Sequence, residues 1–191
     1  PDWRESQQDS QDKKPSWLTP TVNQLANEVM IRINQSAAVS GMSLCALCLL
    51  SAKKRAMSLS ELEQAIDDYL KLLTKSPYSE QVTLPPLTGA EIVAHTMKLN
   101  KLTESEDSFG TIISLDLKNA VPLTYYRNNI LHLFAMPGLI AAIVFAHKKL
   151  ARARLLELIA KLYPLLQKEL FIHLNIQNNI LVVESSLKRH W

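Results

Sequence analysis

Glycine is scarce in this 191-residue chain, which holds four in all, against an average usage of about 7%. That scarcity disfavours Gly-rich phosphate loops and turn-rich β architectures, both of which need residues free to adopt positive φ. Cysteine is nearly absent too. Cys45 and Cys48 spell C-x-x-C inside the apolar run Ala37 to Leu50, but no second pair exists, and a zinc site needs two more ligands at suitable spacing. A thioredoxin-like pair normally follows a strand at a helix start. Small-residue packing within a helix is the reading, and no metal or cofactor is expected. Two free thiols agree with a reducing compartment. Also missing is a clean run of about 20 apolar residues, the length needed to span a bilayer. The longest, Ile130 to Ala146, contains His132 and is cut by Pro137-Gly138, which predicts two buried core helices.

What is present is a 47% hydrophobic fraction, enough for a sizeable core in one domain of this length. The formal charge of +3 is unevenly placed: Lys53 to Pro122 carries eight basic against ten acidic residues, net −2, and Leu123 to His173 seven against two, net +5. A basic, apolar helical region suits anionic lipid, an acidic carrier protein or a phosphorylated substrate. In an interfacial mode Phe134, Leu139, Ile143 and Phe145 touch lipid while Lys148, Lys149, Arg152 and Arg154 meet head groups. His95, His147 and His173 stand isolated and read as satisfied or exposed side chains.

The pattern predicts a mainly α fold: a multi-helix domain with one small β-hairpin. Residues 1–18, rich in Gln, Asp, Ser and Lys, read as a linker or mobile arm. Thr19-Pro20 reads as a helix start. Val22, Leu25, Val29 and Ile33 then recur at helical spacing to about Gln35, and an apolar helix follows to about Ser51. Ser58-x-x-Glu61 and Thr88-x-x-Glu91 fit capping boxes, opening helices over about Leu59 to Thr74 and Gly89 to Asn100. Thr111 to Leu115 and Ala120 to Leu123 read as the hairpin. Helices over about Thr124 to Met136, Leu139 to His147 and Ala151 to His173 complete a domain spanning 19–175, with 176–191 an undetermined last helix. Two helices and a hairpin between Leu59 and Leu123 give a winged-helix-like order, but nucleic acid is not the expected partner. The reading helix would carry only His95, Lys98 and a terminal Lys101 against Glu91, whereas phosphate neutralisation needs clustered Lys and Arg.

The most informative run is Tyr125-Tyr126-Arg127-Asn128-Asn129-Ile130-Leu131-His132-Leu133-Phe134. At 100° per residue, Tyr125, Asn128, Asn129 and His132 share an arc of roughly 100°. This polar stripe is either a structural hydrogen-bond network or a face shown to a neighbouring domain or substrate. Arg127 points to the opposite, apolar side, where it needs a carboxylate, a phosphate or carbonyl oxygens. A partner within the domain is the favoured expectation.

Pro1-Asp2-Trp3-Arg4-Glu5-Ser6, Trp17 to Asn23, the stretch around Met30 to Asn34, Pro77-Tyr78-Ser79 and Tyr125 to His132 together resemble the bacterial glycerol-3-phosphate 1-O-acyltransferase family. The resemblance covers Pro1 to about Phe171, in order. It implies acyl transfer from acyl-CoA or acyl carrier protein to glycerol-3-phosphate, at the cytoplasmic face of the bacterial inner membrane, opening phospholipid synthesis. It also implies an upstream acyltransferase domain with a His-x4-Asp motif, whose His acts as base on the glycerol hydroxyl. No such motif occurs here: the residue five positions after His95, His132, His147 and His173 is Asn100, Pro137, Arg152 and Asn178, and His190 is too near the end. With no initiator Met, the chain reads as a region downstream of the catalytic domain, inactive alone. The alternative is a non-catalytic interaction or winged-helix-like binding module.

Overall fold

The computed structural model describes residues 14–108, 110–147 and 150–172. Six helices dominate it, with one three-stranded antiparallel sheet, as the mainly α expectation required. Helix α1 spans Leu18–Gln35. Trp17 rather than Thr19 takes the cap position, without a side-chain cap, so Thr19 and Pro20 lie inside the first turn. Helix α2, Gly41–Ser51, is capped by Ser40. Every residue from Met42 to Leu49 is buried, the signature of a helix apolar all round. Cys45 and Cys48 belong to this packed face as free thiols.

Both capping boxes are present, at Ser58–Glu61 for α3 (Leu59–Lys75) and at Thr88–Glu91 for α4 (Gly89–Met97). The two helices close tightly at Gly89, whose N–H donates to Asp67 Oδ1 at 2.7 Å. A β-carbon there would collide with the Glu63 carbonyl oxygen, so only glycine fits. Leu62, Ile66 and Leu73 of α3 and Ile92 and Val93 of α4 enter the core.

The sheet departs from expectation. Its hairpin is β2 (Thr103–Asp107) with β3 (Gly110–Ser114), and β3 also pairs β1 (Ala56–Ser58), giving the order β1-β3-β2. Ala120 to Leu123 is helical. The true partner strand, Thr-Glu-Ser-Glu-Asp, is exposed along its whole length, so it carries no apolar alternation for a periodicity argument to find. The sequence α2-β1-α3-α4-β2-β3 has winged-helix connectivity, with an acidic wing at Glu104, Glu106 and Asp107.

Pro137-Gly138 does not divide the last apolar run. One helix, α5, runs from Leu117 to Ala146 with Pro122 and Pro137 inside it. An interior proline costs about 3 kcal/mol, and here Met136 and Ile140, both fully buried on either side of Pro137, offset it by core packing. By length and composition α5 could cross a membrane, and each of its halves also contributes buried residues to a core. Ile130, Leu133 and Phe134 join a first cluster with α2, α3, α4 and the sheet. Met136, Ile140 and Ile143 form a second with Leu155, Ile159 and Tyr163 of α6 (Arg152–Leu170) and with Ile172. His173, the last helix expected at 176–191 and most of the 1–18 segment lie outside the described residues.

Candidate functional site

Helix α5 begins just after Asp116 and leaves its first three turns uncovered on one side. Leu117 and Tyr125 are each 72% exposed and Val121 69%. Asn128 and Asn129 are exposed beside them. The predicted polar stripe therefore exists on one helix, but only its first part faces solvent.

His132 is the exception, being buried. Its Nε2 lies 3.0 Å from the Asn34 carbonyl oxygen at the end of α1, so the ring donates from Nε2. Tyr78 meets the imidazole edge to face, with centroids 5.1 Å apart. Asn34 in turn donates from Nδ2 to the carbonyls of Leu170 at 2.7 Å and Phe171 at 3.3 Å. Those are the last carbonyls of α6, left over where Phe171 turns into the left-handed region. One histidine and one asparagine thus join α1, α5, α6 and the loop after α3. Burial holds the His132 pKa below its ordinary value, against the opposing pull of the Asn34 carbonyl, so at neutral pH the ring is uncharged and serves as a strut.

Arg127 finds an amide carbonyl oxygen within the domain, that of its neighbour in the chain. It is half-buried, and its Nε and Nη2 donate to Asn128 Oδ1 at 3.2 and 3.0 Å, not to a carboxylate of the domain. A helical-wheel angle places the β-carbon, not the head of a long side chain.

The basic group is divided. Lys148 and Lys149 lie outside the described residues. Arg154 pairs with Glu157, which also accepts from Lys161 at 2.7 Å. Those two cations bring the Glu157 carboxyl down to about 2, Lys161 first. Arg152 opens α6. Phe145, at the other side of the α5 to α6 connection, is 92% exposed. Burial pushes the Cys45 thiol up to about 11 and the Cys48 thiol to about 12, which keeps both protonated and unreactive. Sequence reasoning missed Asn34 and Tyr78 as partners of His132. The one signal for Asn34 was an amide on the final turn of a helix, opposite that helix's apolar stripe.

Glycerol-3-phosphate acyltransferase of Pseudoalteromonas atlantica is 68% identical over 175 residues, 92% of this chain and 22% of that protein. The proteins of the same name from Alteromonas mediterranea and Shewanella amazonensis are 53% and 48% identical over 91% and 90% of the chain, and 21% of each relative. The chain thus spans about a fifth of the length of the relatives it matches. No solved structure matches it. The family described as the glycerol-3-phosphate acyltransferase C-terminal region matches residues 1–188, and this chain belongs to that family.

Proposed function

We propose that the chain is the non-catalytic, C-terminal-side domain of an enzyme that transfers an acyl group from acyl-CoA or acyl carrier protein to glycerol-3-phosphate, the first step of phospholipid synthesis. The observation that carries this is the bare face of α5 above a locked base. Tyr125, Asn128 and Asn129 are displayed to solvent on a helix that His132 and Asn34 hold rigid. Arg127 stands beside them with its guanidinium on a neutral amide, leaving its charge open to a carboxylate or a phosphate. A preorganised polar and aromatic face of this kind suits a domain interface. The upstream acyltransferase domain is the partner proposed for it, joined through the 1–18 segment to the body that spans 19–175.

The same reading sets the domain at the cytoplasmic face of the bacterial inner membrane as a peripheral contact. Phe145 supplies an exposed apolar tip, and Lys148, Lys149, Arg152 and Arg154 in and after the α5 to α6 connection supply charge for anionic head groups. The alternative, a winged-helix-like binding module, has the connectivity in its favour, but Glu91 on α4 and the acidic wing oppose a phosphate backbone.

The test compares two preparations. The isolated chain should release no thiol from an acyl thioester in the presence of glycerol-3-phosphate. In the full-length protein, the pair Tyr125→Ala and Asn129→Ala should lower acyl transfer at least tenfold while leaving the melting temperature of the isolated chain within about 2 °C. Unchanged transfer in that double variant would remove the α5 face from the proposal.

A further inference from the structure

Helix α1 carries an apolar face that nothing in the described structure covers. Val22, Leu25, Val29 and Ile33 are 53%, 63%, 45% and 58% exposed. They recur at i, i+3, i+7 and i+11, the anchor spacing by which an amphipathic helix seats in an apolar groove. Asn34, on the last turn, is the one buried residue of α1, and Met30 and Ile31 before it are half-buried.

Three occupants compete for this face, and charge and area choose among them. A helix that lies on lipid carries Lys and Arg along its polar side. Helix α1 has one arginine, Arg32, whose Nε is 2.9 Å from Glu28 one turn back, and its other polar residues are uncharged amides and Thr. A second copy of the chain would need about 800 Å² per partner for a stable complex. Four half-exposed aliphatic side chains offer on the order of 300 Å². That is too little for free association but enough for a partner on the same polypeptide, where a tether sets a local concentration of roughly millimolar. The matched relatives carry about four-fifths of their length outside this C-terminal region.

We infer that α1 docks, through Val22, Leu25, Val29 and Ile33, into an apolar, charge-poor groove on the preceding part of the full-length protein. This rests on the reading of the chain as the C-terminal region of a longer polypeptide, and it adds a second contact distinct from the polar face of α5. Removing the stripe leaves the fold of this region intact, since those side chains contribute little to either core.

The full-length protein is prepared with photoreactive benzoylphenylalanine in place of Val29 and, as a control, in place of the exposed wing residue Glu106. Irradiation at position 29 should yield crosslinks that mass spectrometry maps to the preceding part of the same polypeptide. Adding Leu25→Glu should lower that yield at least fivefold, while Leu25→Glu in the isolated chain leaves its melting temperature within about 2 °C. Adducts with lipid, crosslinks to a mass-tagged second copy, crosslinks confined to this region, or a yield no higher than at position 106 each overturn the inference. Acyl transfer is measured on the same samples. Crosslinking without transfer removes the proposed function and keeps the docking, and transfer without crosslinking does the reverse.

Discussion

Helices α1 and α2 follow one another in the chain and hold on to the body in opposite ways. Helix α2 is apolar on all sides and surrounded on all sides, so each of its residues from Met42 to Leu49 is inside. Helix α1 has the clearer amphipathic pattern and keeps its apolar stripe outside, fastened to the body through an amide. Periodicity therefore reports that a helix forms and which way its stripe points, but not whether anything lies under the stripe. The docking inferred for α1 would fill that stripe.

The contrast breaks most visibly at Leu44, which is fully buried in α2. Leu44→Ala should destabilise the chain by about 2–5 kcal/mol, read as a fall in melting temperature of roughly 5–15 °C. A change under about 1 kcal/mol would mean α2 is not the packed centre described. Next in size is Asn34→Ala, which strands the Leu170 and Phe171 carbonyls and should cost about 1–3 kcal/mol by denaturant unfolding. Asn34→Asp should not rescue it, because a carboxylate cannot donate to those carbonyls.

A smaller effect concerns pH. Burial depresses the His132 pKa in the folded chain, while the unfolded chain titrates near about 6.5. The unfolded state then binds the proton more readily. The contribution of His132 is fully present above about pH 6.5 and is lost as pH falls through the folded value. His132→Phe should flatten that part of the stability profile, in urea unfolding between about pH 5 and pH 7. The smallest effects are at positions outside both cores: Leu25→Ala and Arg127→Ala should each change the stability of the isolated chain by less than about 0.5 kcal/mol. A loss near 3 kcal/mol at Arg127 would restore the buried ion pair that the helical-wheel argument favoured.

Much of the fold was legible because its signals are local. Ser58 with Glu61 and Thr88 with Glu91 announced their helices through side chains three residues apart, and the structure repeats them atom for atom. The errors came where distant packing decides. Ala120 to Leu123 looks like a strand in isolation, and only the whole sheet shows that β3 is already paired on both edges. Pro137-Gly138 looks like a break until Met136 and Ile140 are seen inside. At the candidate site, the clustering of Tyr125, Asn128, Asn129 and His132 on one helix was readable from angle alone. That α1 ends against His132 and hides it was not, because the two residues lie 98 positions apart.

One more consequence lies in the length of α5, about 45 Å. The helix passes from the first core to the second between Phe134 and Met136, within a single turn. The shared turn couples the two cores, so they are expected to open together. Calorimetry should show a single endotherm in which calorimetric and van't Hoff enthalpies agree. Amide exchange should give the α2 and α6 core positions a common protection limit, as if the molecule had no internal seam.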